Sequence, residues 1–200
     1  MNNILKMYLP VYLLIYLLFI FIIPTYRVYM LKGINPITFK RSDSLHDYIG
    51  FVMKLIIVGI ALNICLYSIS VKYYDFLSPI QYLDIMTSKI IGLVIIHASL
   101  IWIGVAQKQM KENWRIGIDE MNSTDLVTNG VFKISRNPVF LGMILSTCGL
   151  FLILPNVLSF TSLILTYFFI QIQIRLEEAH LKVQHGEKYK MYMLQTNRLI

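Results

Sequence analysis

Two polar stretches hold most of the residues able to do chemistry: Gln107 to Asn137, and the tail from Arg175 to Ile200, which Gln171 and Gln173 precede. The first closes on Ser135-Arg136-Asn137-Pro138. Proline at the first position of a helix forfeits no hydrogen bond, so a helix can begin at Pro138. A cation beside the free N–H groups of a helix start is a seat for an anionic group. A surface loop whose basic residues snorkel to a membrane would read the same way. In the tail, Gln173 and Glu177 are four apart and share a helix face, while Glu178 lies about 100° further round. These adjacent carboxylates either neutralise Arg136 or Lys182, or meet a cationic ligand. Gly186-Glu187-Lys188-Tyr189 and Tyr192 then suggest a short amphipathic helix with interfacial aromatics.

The elements that must position these groups are apolar. Of the 200 residues 56% are hydrophobic and 14% charged, against about 45–50% and 25% in soluble chains; mean hydropathy is +0.63. This excludes a disordered chain, a disulfide-stapled secreted module and a conventional nucleic-acid binder. Five apolar runs approach the roughly 20 residues that cross a bilayer. They span about 4–23, 48–70, 85–106, 138–154 and 157–176. In hydrocarbon the backbone must satisfy itself, so each run is read as a helix. Only Pro155 and Asn156 separate the last two, which makes them a tight hairpin. The fold class is therefore an all-α membrane bundle of about five helices with a helical C-terminal segment.

Charge orients the bundle. Segments 24–47 and 107–137 and the tail carry 14 of the 18 lysines and arginines, Arg41 among them, and five spans place all three on one side. The positive-inside rule puts the N-terminus outside and the C-terminus in the cytoplasm. The membrane would be the plasma membrane in a prokaryote and the endoplasmic reticulum in a eukaryote. The first run is too long for a signal peptide and lacks a small-residue cleavage site, so it is read as a retained helix. Cys65 and Cys148 fall inside spans and read as small buried hydrophobes. The ten glycines contain no Gly-x-Gly, so no dinucleotide loop is present.

Thr128-Asn129-Gly130-Val131-Phe132 followed by Arg136-Asn137-Pro138-Val139-Phe140-Leu141-Gly142, and then Glu177-Glu178, Leu181, Gly186, Tyr189 and Tyr192, form an ordered pair of motifs about 40 residues apart. Over roughly residues 100–200 the chain resembles the integral-membrane isoprenylcysteine carboxyl methyltransferases, relatives of the phospholipid N-methyltransferases. Asn137 stands where that pattern has histidine, and Phe132 and Phe140 where it has tyrosine.

The resemblance implies an S-adenosylmethionine-dependent methyltransferase with a cytoplasm-facing pocket. Its cofactor residues would be Thr124, Asp125, Leu126, Val127, Phe132, Asn137, Pro138, Val139, Phe140 and Glu177. Arg136 and Glu177 would be catalytic, Gln173 and Arg175 substrate-binding, and no metal is implied. Arg175 points about 200° away from the position one turn before Glu177, which Gln173 holds. Residues 1–84 would be an N-terminal helix pair and 85–200 the methyltransferase core. The acceptor implied is an isoprenylcysteine-like carboxylate on a lipophilic or lipidated substrate. A phospholipid or other small lipophilic amine or thiol is the alternative. Membrane lipids are the remaining partners, nucleic acid is not one, and oligomeric state is not readable. A small transporter, for which His97 and Asn63 are the in-span polar candidates, and a non-catalytic membrane protein are the other classes.

Overall fold

The computed structural model describes residues 2–40, 42–119, 121–122 and 124–200. Arg41, counted among the basic residues of segment 24–47, lies outside the described residues, as does Glu120. Helix α1 (Asn2–Leu17) runs through a π-helical segment (Leu18–Ile22) into α2 (Ile23–Lys32). Then come α3 (Leu45–Ile69), α4 (Val71–Asp75), α5 (Met86–Met110), α6 (Pro138–Ile153), α7 (Val157–His185) and α8 (Glu187–Gln195). Four helical stretches, Asn2–Lys32, Leu45–Ile69, Met86–Asn113 and Val157–His185, are long and apolar enough to cross a membrane, and Pro138–Ile153 is a shorter apolar fifth. The chain is a helical membrane bundle.

Two runs extend past their apolar limits. The first carries Arg27 and Lys32 on α2 rather than on a linker. In the last, nothing breaks the helix between Leu176 and Gly186, so α7 continues for nine residues with Glu177 and Glu178 on it. The π segment has a local cause. Pro24 has no N–H to return to Ile20 one turn back. Gln107 of α5 donates to the freed Ile20 carbonyl at 2.7 Å instead.

Helices α5 and α6 make the closest pair. A Cβ on Gly92 would lie 2.5 Å from the Gly149 carbonyl, and one on Gly149 would lie 2.8 Å from the Gly92 carbonyl. Small residues allow such backbone approach in lipid. The α6–α7 turn is fixed by a capping box: Asn156 accepts from the Ser159 N–H, and Ser159 Oγ accepts from the Asn156 N–H. Asn156 also donates to Asn63 Oδ1 at 2.9 Å. His97 meets the Tyr8 hydroxyl and the Leu93 carbonyl. Both in-span polar residues thus serve helix packing.

At the polar end, the linker after α2 meets the loop after α5. Ile116 donates to Pro36 O and accepts from Thr38 N, at 2.9 and 3.0 Å. Ile118 N donates to His46 Nε2 at 2.9 Å. These ties hold the loop against the start of α3.

Candidate active site

The N-terminus of α6, the last third of α7 and the loop 113–132 converge on two adjoining cavities. One, of about 150 Å³, lies under the loop. It is lined by Thr124, Asp125, Leu126 and Val127, by His180, Leu181 and Gln184 of α7, and by Tyr189 and Tyr192 of α8. The other, of about 300 Å³, opens between the helices and is lined by Phe21, Phe39, Met53, Lys54, Trp114, Pro138, Val139, Phe140 and Gln173, among others. Phe132, Arg136, Asn137 and Glu177 line both. Twelve of the thirteen residues singled out in the sequence therefore stand around these two adjoining cavities. Arg175 does not; its guanidinium bonds Gln171 O and Oε1 on an exposed face.

The neighbouring carboxylates have different partners. Glu178, 2% exposed, lies between two arginines. Arg136 Nη2 reaches its Oε1 at 2.9 Å and Arg198 Nη2 reaches its Oε2 at 2.7 Å. Arg136 Nη1 also donates to the Met193 and Thr196 carbonyls. Its N–H groups are therefore largely committed to Glu178 and to the tail. The tail is tied down further: Asn137 Nδ2 donates to Arg198 O at 3.0 Å, and Arg136 N to Asn197 O at 3.0 Å. Arg136 walls the cavities as the post to which the tail is fastened.

Glu177 lines both cavities and is not enclosed by the arginines. Its described partner is Gln173, whose Nε2 donates to Oε1 at 2.9 Å. That leaves the Gln173 carbonyl oxygen buried without a partner among the described residues, on the wall of the larger cavity. The indole N–H of Trp114 is a second unpartnered polar group on that wall. A buried polar atom left unpaired in a native fold calls for an explanation, and a ligand is one.

Arg115, which also lines both cavities, is already occupied. It donates to Asp119 at 2.8 Å and to the Glu112 and Trp114 carbonyls. Burial opposes ionisation of Asp119, but hydrogen bonds from Arg115, Asn122 and Met121 outweigh it and hold the carboxyl below its ordinary range. Tyr192 donates its hydroxyl to Phe132 O, and burial pushes that hydroxyl up to about 12. It is a neutral hydrogen-bond donor that docks α8 on the short 3₁₀ turn Gly130–Lys133.

At α6 the first helical bond runs from Leu141 N to Asn137 O. The N–H groups of Val139 and Phe140 precede it and have no partner within the helix. Sequence reasoning assigned no role to Trp114, Arg115, His180 or Gln184. The last two carried a signal, since 177, 180, 181 and 184 follow the 3–4 spacing of one helix face.

A family model described as phospholipid methyltransferase matches residues 87–188. The chain belongs to the phospholipid methyltransferase family. The match runs from the start of α5 to the start of α8 and takes in the loop, α6, Gln173, Glu177 and Glu178. No curated protein matches the chain. As a member of the phospholipid methyltransferase family, it is a membrane methyltransferase whose substrates are lipids or other lipophilic molecules. Phe21, Phe39, Met53 and Lys54, on the far wall of the larger cavity, lie before the matched region.

Proposed function

We propose that the chain transfers a methyl group from S-adenosylmethionine to an amine on a membrane lipid. The observation that carries this reading is the wall common to both cavities: Phe132, Asn137 and Glu177 stand between a loop-covered polar space and an apolar space open between helices. A polar cofactor and a lipophilic acceptor need such opposed approaches.

The residues present suit the cofactor. Leu126 and Val127 offer backbone groups to an adenine edge. The free N–H groups at the start of α6 suit its carboxylate. Phe132 and Phe140 present aromatic faces to a cation, and Glu177 balances its charge. When bound, S-adenosylmethionine supplies an electrophilic methyl group on a sulfonium.

The acceptor side favours an amine over a carboxylate. Arg115 and Arg136 are spent on Asp119 and Glu178, while Glu177 and the orphan Gln173 oxygen both accept hydrogen bonds. An ammonium finds partners there. Glu177 takes its proton and leaves a neutral nitrogen, and Gln173 holds that carboxylate in place. Lys54, at the same cavity, suits the phosphate of a phospholipid headgroup. Closely packed helices exclude water and keep the reactants aligned, which supplies much of the rate.

The basic segments support a site on the cytoplasmic face, with the N-terminus outside. The test is transfer of labelled methyl groups by the purified chain in liposomes containing both amine and prenylcysteine acceptors. Base-stable label on the lipid amine supports the reading. Label released by mild base as methanol marks a carboxyl ester and would overturn it.

A further inference from the structure

The larger cavity borders a deeper chamber of about 80 Å³ between α1, α3, α6 and α7. Phe21, Met53, Ile57 and Met143 wall both, so the two spaces adjoin. Phe21 sits in the π segment that Pro24 forces on the first helix. The chamber is almost wholly apolar, yet Ser146 of α6 and Thr166 of α7 face it.

These two hydroxyls, like that of Thr25 in α2, lack the usual helical partner. Ser68, Ser99, Thr147 and Ser162 each return their hydroxyl to a carbonyl one turn back. Ser146 and Thr166 return their hydroxyls to no backbone carbonyl among the described residues, although they are only 8% and 3% exposed. Tyr16 lines the same chamber with its hydroxyl paired with that of Ser146; a proton given by the phenol leaves the serine's own proton free. Donors left open in an apolar interior call for an acceptor brought in from outside.

Helix rise fixes how far that acceptor sits from the reacting atom. At about 1.5 Å per residue, Thr166 lies roughly 10 Å along α7 from Gln173 and roughly 16 Å from Glu177. In an amine-bearing glycerolipid, the acyl ester carbonyl oxygen is about ten bonds from the nitrogen, on the order of 12 Å when extended. An oxygen at that depth matches the chamber.

We propose that Ser146 and Thr166 form a second binding station, which takes the acyl ester carbonyl of the methyl acceptor and selects ester-linked over ether-linked lipids. The proposal rests on the lipid-amine reading above and adds the backbone chemistry of the lipid. An ether oxygen is the weaker acceptor, so discrimination should follow the hydroxyls.

The test compares diacyl and dialkyl phosphoethanolamine lipids of matched chain length as competing acceptors for the full chain in liposomes. The native chain should favour the diacyl lipid by about tenfold in kcat/KM, the effect of one or two hydrogen bonds. Ser146→Ala with Thr166→Val should bring the ratio to about one. Thr166→Ser should keep the preference. Equal use of both lipids by the native chain would overturn the station, as would occupation of the hydroxyls by a bridging water, yet leave methyl transfer to amines standing. If neither lipid is methylated, the lipid-amine reading fails. Retention of diacyl over dialkyl lipid in native mass spectrometry, by the native chain and not by the double variant, then decides the station alone.

Discussion

Glu177 and Glu178 are neighbours in the chain, and their surroundings give them opposite work. Glu178 is enclosed by Arg136 and Arg198, which come from 42 residues earlier and 20 later. Glu178→Gln leaves two arginines facing a group that no longer balances them. It should destabilise the fold by about 3 kcal/mol, since removing one partner of a buried pair strands the other; thermal unfolding in detergent would register the loss. Glu177→Gln should leave that melting temperature in place and lower methyl transfer by about 10²-fold, the scale of a lost general base. Equal loss of stability in both variants would contradict this division. Asp119 adds a pH dependence. Its carboxyl ionises more readily in the fold than in the unfolded chain, so its stabilisation is present above the ordinary value of about 3.9 and is lost as pH falls through the lower folded value. Trp114 fluorescence should therefore hold steady from pH 7 to 5 and change below about pH 4. Asp119→Asn should abolish that transition. Sequence spacing placed Gln173 with Glu177 and turned Arg175 away from them, because both follow from helix geometry. It left open which carboxylate the arginines take, because Arg198 reaches Glu178 only through the fold of the tail.

At the scale of elements, the α5–α6 pair holds the site's floor. Gly149→Leu would drive a side chain into the Gly92 carbonyl and the Ile96 side chain. The two helices would have to part, at a cost of about 1–3 kcal/mol or more, and Pro138 and Asn137 at the end of α6 would shift with them. The expected result is a lower melting temperature together with weaker S-adenosylmethionine binding in calorimetry. Unchanged binding would show that the cavity does not depend on this contact. Hydropathy marked all five runs and their tight final hairpin, because lipid burial is written in composition. Helix ends past the apolar limit were less legible. Lys32 and the stretch 177–185 are polar yet helical, since Gly33 and Gly186 are where the chain breaks. The cavity wall given by Phe21, Phe39 and Met53 was not legible either, because helix packing rather than a motif brings it to the site.

Across the whole molecule, both cavities depend on parts that lie outside the family match: the first helices on one side and the tail after Lys188 on the other. The matched region carries most of the wall of the smaller cavity, while much of the larger cavity's wall comes from the π segment, the linker after α2 and α3. On the proposed reading, relatives can share the donor and differ in the lipid. One further consequence concerns the bilayer. With 16 residues, α6 is only about 24 Å long, short of the roughly 30 Å hydrocarbon core. A helix this short draws the two leaflets together around itself. Its Pro138 end is the one that reaches the site, so the dimple brings headgroups down to the cavity mouth and shortens the climb a lipid makes out of its leaflet. Methyl transfer should then be faster in liposomes of 14- or 16-carbon chains than in those of 22, and rates independent of thickness would argue against it. Hydrophobic mismatch, usually counted as a cost of a short span, would here do part of the substrate delivery.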